Sequence, residues 1–254
     1  MARDAAKAAA HLPSGVPVRL ANYDDPASLD AALAGVERVV LVPSDGEAVR
    51  VIEQHAAIID ALRLAGVTYT VFISIGDVAD TSPFYFAPVY RDAERRLREA
   101  GLSVSLLQCN VYAEFVQDRY LRPALATGTL DAPFGDARLA PVSREDVAAC
   151  ATALICTPEL AGRSFPLTGP AAFDGRQLAT MAGDIAGRAV AYAPLAQPDY
   201  LLKLWNTYPA PWPHAFATMA QSIAQGRYGD RQDGVATLIG RSPRTMTDVL
   251  RTTL

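Results

Sequence analysis

Residues 37–74, ERVVLVPSDGEAVRVIEQHAAIIDALRLAGVTYTVFIS, read in turn as strand, helix and strand. Val39 to Val42 is an unbroken apolar run, the pattern of a strand buried on both faces of a parallel sheet. From about Glu47 to Ala65, Val49, Ile52, Ala56, Ile59 and Leu62 recur at helical spacing, and Gly66 provides a stop. Val67 to Ser74 (VTYTVFIS) then returns as a strand. A helical connection of this length joins parallel strands, whereas antiparallel neighbours need only a tight turn.

The same alternation continues outward from this unit. Upstream, Val16 to Leu20 (VPVRL) reads as a strand. Asp24-Asp25-Pro26 opens a helix with acidic caps and a first-turn proline, Leu29, Ala32 and Leu33 form its inner stripe, and Gly35 ends it. Downstream, residues 80–88 form an aromatic, turn-rich loop. A charged helix follows from Val89 to Ala100, closed by Gly101, then a strand from Leu102 to Leu107 and a helix from Tyr112 to Ala126. Three successive strand–helix–strand crossovers predict an α/β fold with a doubly wound parallel sheet. Beyond residue 127 the elements shorten. Helices are expected over 144–155 and 175–186, and short strands over 164–167 and 189–193. Residues 197–230 hold both tryptophans and four prolines and read as a lid or a substrate lobe. The expected organisation is a core of residues 1–126 with a smaller α+β substrate lobe, 127–254, packed on it. The chain has no internal repeat and no low-complexity linker.

Composition narrows the function classes. The 254 residues are half hydrophobic and one-fifth charged, with a net charge of −4, ordinary for a globular protein. There is no basic run to suggest nucleic acid or an anionic membrane, and no apolar stretch approaches the ~18–20 residues of a membrane span. Cys109, Cys150 and Cys156, with His11, His55 and His214 far apart, form no metal-ligand pattern. Free thiols and a cytoplasmic location are expected. The anticipated partner is a small molecule, with a homodimer as the anticipated assembly.

Several stretches carry a family resemblance. RDAAKAAAHLPSGVPVRLANYDDPASLDAALAGVERVVLVPS, HAAIIDALRLAGV, ADTSP, APVSREDVAACATALI and LIGRSPRTMTDVL, in this order and spacing, resemble the NmrA-like family. Within it they are most similar to the NAD(P)H:quinone oxidoreductase type 2 branch of the atypical short-chain dehydrogenases. The resemblance spans essentially the whole chain and implies a Rossmann-like NAD(P)-binding fold.

In that family the chain starts with a strand, a GxxGxxG loop, a helix and a second strand ending in Arg with Lys close behind. Arg3 and Lys7 match those last two positions. The seventeen glycines give one i, i+3 pair, Gly226 and Gly229, with no third glycine at 232. The expected fold is therefore a Rossmann-like doubly wound sheet with its first strand and glycine loop missing. In the order 3-2-1-4-5-6 the first strand is central. Its absence is expected to leave the Val16–Leu20 strand without its partner and to open an edge on Val39–Val42. A pyrophosphate would lose its close backbone approach and its helix N-terminus, so dinucleotide binding by the chain as it stands is in doubt. Two accounts compete: a start placed roughly 30–40 residues late, judged from the size of a βαβ unit, or a natural variant without the loop. The first is the expectation, since Met1 falls where a strand should run.

The resemblance also implies site residues. Arg3 and Lys7 resemble the pair that grips the 2′-phosphate of NADPH, which makes NADP(H) the expected cofactor ahead of NAD(H); the guanidinium fork suits phosphate oxygens. Asn22 and Tyr23 correspond to adenine-side contacts. Val42, Pro43 and Ser44 end a strand where ligands of parallel sheets lie. Ser74, followed by Ile75, resembles the Ser/Thr position that faces the nicotinamide. Asn110 and Val111 belong to QCNVY, which resembles the loop beside that ring. Tyr90 lies where short-chain dehydrogenases carry their catalytic tyrosine, so Ser74 and Tyr90 are the catalytic candidates. The usual tyrosine acid needs a Lys four residues on. Position 94 is Glu, and the chain's two lysines are Lys7 and Lys203, so a Tyr–Lys relay is not expected. Phe84, Tyr85, Tyr112 and Trp212 are the expected acceptor-pocket residues, with Phe86, Trp205 and Tyr208 in the same aromatic group. His55, on the helix with the apolar stripe, reads as structural. The function implied is NAD(P)H-dependent reduction of quinones or related small electrophiles by hydride transfer. A non-enzymatic dinucleotide sensor and a cofactor-free small-molecule binder are the alternatives.

Overall fold

The computed structural model describes residues 1–253. A short α1 (Ala5–His11) is followed by α2 (Pro26–Leu33), β1 (Arg38–Leu41), α3 (Ala48–Leu64), β2 (Tyr69–Ile75), α4 (Ala87–Glu99) and β3 (Val104–Cys109). The second half contains α5 (Ala113–Val116), a π-helical turn (Gln117–Leu121), α6 (Arg122–Thr127), β4 (Thr129–Leu130), α7 (Arg144–Ile155), β5 (Ser164–Leu167), α8 (Gly175–Ala186) and β6 (Ala191–Tyr192). Helices α9 (Gln197–Trp205), α10 (Trp212–Ala224), α11 (Gly234–Ile239) and α12 (Met246–Thr253) complete it.

The main sheet is wholly parallel, in the order β1-β2-β3-β5, with Val40 opposite Val71, Phe72 opposite Leu106 and Leu107 opposite Phe165. Alternate residues of β2 serve two cores, as the period of a strand requires. Phe72, with Leu41 and Leu106, packs with Leu29, Ile58, Leu62 and Leu97 from α2, α3 and α4. Tyr69, Val71 and Ile73 face the other way, onto Val147, Cys150 and Leu154 of α7 and Val235 of α11. The sheet is thus covered on both sides, and the doubly wound reading holds. A third core joins α5, the π turn and α6 to α8, α9, α10 and α12 around Tyr120, Phe134, Leu178, Tyr200, Ile223 and Leu250. Beside it β4 and β6 form a two-stranded parallel ribbon.

Asp25 caps α2, accepting from the Ser28 amide at 3.4 Å, and Gly66 and Gly101 close α3 and α4 at φ +71° each. Those helix starts and stops agree with the sequence pattern. Four readings need correction. Val16–Leu20 is not a strand: a single parallel bridge joins Leu20 to Ala2, with no strand partner on either side among the described residues. Leu20 stays 57% exposed. The β1 run is not buried on both faces. Val40 and Val42 are exposed, because only one edge of β1 is paired and its second face is thinly covered. The inner stripe of α3 is Val51, Gln54, His55, Ile58, Ile59, Ala61 and Leu62, while Val49 points to solvent. The two polar members disguised the true face of the helix. Residues 112–126 form no single helix, because a π-helical turn lies between α5 and α6.

β5, far beyond residue 127 in sequence, hydrogen-bonds to β3 as the fourth strand of the main sheet. No helix among the described residues is long and apolar enough to cross a membrane.

Candidate functional site

The carboxyl ends of β1, β2 and β3 carry two openings, in the position where parallel sheets bind ligands. The first is a cleft of about 500 Å³ lined by Arg3, Asn22, Tyr23, Pro43, Ser44, Asp45, Gly46, Glu47, Arg50 and Gln54, among others. Its walls are tied to α3. Asp24 accepts from Arg50 at 2.7 Å and from Gln54 Nε2 at 2.8 Å, and the two bonds hold the Asp24 carboxyl below its usual range. The Ser44 amide donates to His55 Nε2 at 3.3 Å. His55 is almost fully buried, and that burial pushes its pKa down to about 4, leaving a neutral ring that accepts. Histidine here braces the loop after β1, in agreement with its structural reading.

Five of the expected cofactor residues, Arg3, Asn22, Tyr23, Pro43 and Ser44, come together in this cleft. Arg3 makes no hydrogen bond or salt bridge among the described residues. Burial pushes the Tyr23 phenol up to about 12, with Arg3 opposing, and its hydroxyl donates to the Val42 carbonyl at 3.0 Å. Val42 itself turns its side chain outward, 59% exposed, and lies outside the lining. So does Lys7, which sits on α1.

The second opening is a cavity of about 150 Å³ lined by Ser74, Ile75, Phe84, Phe86, Tyr90, Cys109, Asn110, Val111, Tyr112, Phe115, Met219 and Tyr228. Both catalytic candidates, Ser74 and Tyr90, are in it, with Ile75, Asn110, Val111, Phe84 and Tyr112. Tyr85 and Trp212 are not. The Tyr85 hydroxyl accepts from the Ala48 amide at the start of α3, at 3.1 Å, and its own amide donates to Thr218 of α10 at 3.0 Å. Trp212 stacks on Phe216, with ring centroids 5.6 Å apart. Both brace the wall from behind.

The polar groups of the cavity divide into committed and free. Ser74 donates to Glu94 Oε1 at 2.6 Å. Asn110 spends its amide nitrogen on the Tyr228 carbonyl, at 3.0 Å, and its oxygen on the Val111 amide, at 2.7 Å, so it fastens residue 228 to the end of β3. The Tyr90 hydroxyl has no hydrogen-bond partner among the described residues. Burial, then Cys109 and Asp45, push its phenol far above its usual value, so it is a neutral donor at any ordinary pH. Burial likewise pushes the Cys109 thiol up to about 12, which keeps it an unreactive thiol. Phe115, Met219 and Tyr228 went unnoticed in the sequence, because no local pattern links α5, α10 and residue 228 to the ends of β2 and β3. Glu94 had one signal: an acid where a Tyr-based site would carry Lys.

The loop after β2 is pinned over this cavity. Asp77, buried, accepts from Ser82 at 2.6 Å and from Ser222 of α10, and pairs with Arg227 at 3.3 Å. Arg227 also donates to the Thr81 carbonyl at 2.8 Å.

Comparison with known proteins gives a consistent set of relatives. The model of the NmrA-like family matches residues 1–247. Quinone oxidoreductase 2 of Escherichia coli is 31% identical over 250 residues, covering 97% of this chain and 85% of the relative. An NAD(P)H azoreductase of Xenophilus azovorans is 28% identical over 196 residues, 76% of this chain and 66% of that protein. Among solved structures, the NADPH complex of the Escherichia coli NADPH-dependent quinone oxidoreductase superposes with a TM-score of 0.91 at 29% identity, over 98% of this chain and 88% of that one.

Proposed function

This chain belongs to the NmrA-like family, and from that membership we propose that it is an NAD(P)H-dependent oxidoreductase that reduces quinones or related small electrophiles. The observation that carries the reading is the aromatic cavity at the ends of β2 and β3. A cavity of about 150 Å³ is the size that accepts one benzene ring. Its lining of aromatic side chains with a few polar groups suits a small planar acceptor. The relatives named above for quinone, azo and NADPH chemistry support the same class.

A dinucleotide fits the residues present at its two ends. Arg3, whose side chain makes no hydrogen bond or salt bridge among the described residues, suits the 2′-phosphate that distinguishes NADPH from NADH, with Lys7 further along on α1. Asn22, Tyr23, Pro43 and Ser44 suit the adenosine side. Ser74, Ile75 and the Asn110–Val111 backbone suit the nicotinamide side. No glycine loop is present in the sequence to cradle the diphosphate between them.

When bound, the reduced nicotinamide supplies the hydride. The chain's own groups hold and polarise the acceptor. Tyr90, neutral and free to donate, is suited to a hydrogen bond on the carbonyl oxygen that gains negative charge. Phe84, Phe86 and Met219 exclude water from the ring. A cytoplasmic setting, consistent with three free cysteines, and a homodimer are part of the proposal.

The test is a calorimetric titration of NADPH, then NADH, into the folded chain, followed by NADPH oxidation with a benzoquinone and naphthoquinone panel. Micromolar binding with a preference for NADPH, and turnover of a single-ring quinone, are expected. A folded sample that binds neither dinucleotide ends the proposal.

A further inference from the structure

We propose that Glu94 is a positioning residue: by accepting the hydrogen bond of Ser74 it commits that hydroxyl's proton and leaves its lone pairs facing the cavity, so the site selects a ring that carries an N–H donor, as the nicotinamide carboxamide does. This rests on the dinucleotide reading above and adds to it a residue and a selectivity.

Glu94 lies one turn after Tyr90 on α4 and is 4% exposed. Arg98, one turn further, donates to its Oε2 at 2.9 Å and is itself largely in solvent. Ser74 donates to its Oε1 at 2.6 Å, the short distance of a charge-assisted O–H···O⁻ bond. A carboxylate paired with arginine accepts and does not donate, so the direction of the Ser74 bond is fixed. A serine hydroxyl has one proton and two acceptor sites. With the proton committed to Glu94, what Ser74 offers the cavity is its lone pairs.

The rest of the lining sharpens that polarity. Asn110 is tied at both ends of its amide, one N–H to the Tyr228 carbonyl and its oxygen to the Val111 amide. Tyr90 brings a free hydroxyl proton. Ser74 therefore presents a fixed acceptor, complementary to a ligand N–H, while the Tyr90 hydroxyl is left to donate to the carbonyl of the acceptor. A quinone brings carbonyls and no N–H; the nicotinamide carboxamide brings the N–H that Ser74 accepts. Had Lys stood at position 94, its ammonium would donate to Ser74 and reverse the hydroxyl. The acidic residue that removes the usual tyrosine relay thus has a use of its own.

The experiment compares binding, without turnover, of NADP⁺ and its 3-acetylpyridine analogue, in which a methyl group replaces the carboxamide –NH₂. Calorimetric titration of the whole chain is expected to show NADP⁺ binding about tenfold tighter, the worth of one such hydrogen bond. Ser74→Ala and Glu94→Leu should each bring the ratio near one. The double variant should lose nothing more, because Glu94 acts only through Ser74. Ser74→Thr, which keeps the hydroxyl, should keep the preference. If circular dichroism shows that Glu94→Leu does not fold, Glu94→Met, unbranched and of similar length, makes the same comparison. Equal affinities in the unmodified protein, or a preference that survives loss of the Glu94 carboxylate but not of the Ser74 hydroxyl, overturn this inference alone. Failure of the unmodified protein to bind either dinucleotide overturns the proposed function and this inference together.

Discussion

Asp77, in the loop after β2, and Arg227, beyond α10, stand 150 positions apart in sequence and 3.3 Å apart in space. Asp77 also receives Ser82 and Ser222, so one buried carboxylate ties the loop bearing Phe84 to the helix bearing Met219. Truncating one member of a buried pair leaves the other charge poorly compensated, which costs about 3–5 kcal/mol. Asp77→Ala is expected to lose stability on that scale in urea unfolding and to loosen the cavity wall. A change below about 1 kcal/mol would mean that the loop is held by its aromatic contacts instead.

His55 gives the protein a defined acid sensitivity. Its folded pKa of about 4 lies below the ordinary 6.5, so the unfolded chain takes up the proton first as pH falls. The contribution is complete above pH 6.5 and is lost between 6.5 and about 4. At 1.36 kcal/mol per unit it amounts to about 3 kcal/mol. Unfolding free energies measured at pH 7 and pH 4.5 should differ in this direction. His55→Gln, which offers the Ser44 amide an uncharged acceptor, should flatten that part of the profile.

Tyr90→Phe removes one unpartnered hydroxyl from the cavity lining and leaves that of Tyr228 in place. Loss of a positioned donor from a reacting carbonyl is expected to reduce kcat by about 10²-fold, with dinucleotide affinity unchanged by titration. Because burial raises the Tyr90 phenol, no loss of activity from its ionisation should appear up to about pH 10. A kcat equal to that of the unmodified enzyme would remove Tyr90 from the site.

Gly169 marks a backbone crossing. A Cβ built there would lie 2.1 Å from the Pro141 carbonyl oxygen, and neither segment has a flexible side chain to yield. Gly169→Ala should cost about 1–3 kcal/mol or more, read as a lower urea midpoint with unchanged slope. Near-wild-type stability would show that residues 140–141 move freely.

The second edge of β1 has no strand partner among the described residues, and Val40 and Val42 stand exposed beside it. Val42→Lys is expected to reduce self-association, since a charge blunts an edge, with stability altered by less than about 0.5 kcal/mol. Sedimentation of both proteins at equal concentration checks this. Identical profiles would exclude this edge from any dimer contact.

The site was legible in pieces. Ser74 and Tyr90 stood out because each matches a position that the family resemblance marks, and both line the cavity. Tyr85 and Trp212 were expected there for being aromatic, yet the geometry turns them outward, onto Ala48 and Phe216. Glu94 was visible as a departure from a pattern, but its bond to Ser74 was not, since nothing in the sequence says that α4 lays that residue over the end of β2.

By itself the sequence determined the alternation of strand and helix from residue 24 to 109, the cap at Asp25 and the stops at Gly66 and Gly101. Those are local: hydrophobic period, capping chemistry and the backbone freedom of glycine act within a few residues. Only the tertiary structure decided that Gln54 and His55 lie on the inner face of α3, that β5 joins β3, that Val16–Leu20 fails as a strand, and that Met219 and Tyr228 close the cavity. Each of these depends on what stands opposite, across gaps of ten to more than a hundred residues. A strand without a neighbour has no partner for its backbone groups, and a cavity wall exists only where distant segments meet.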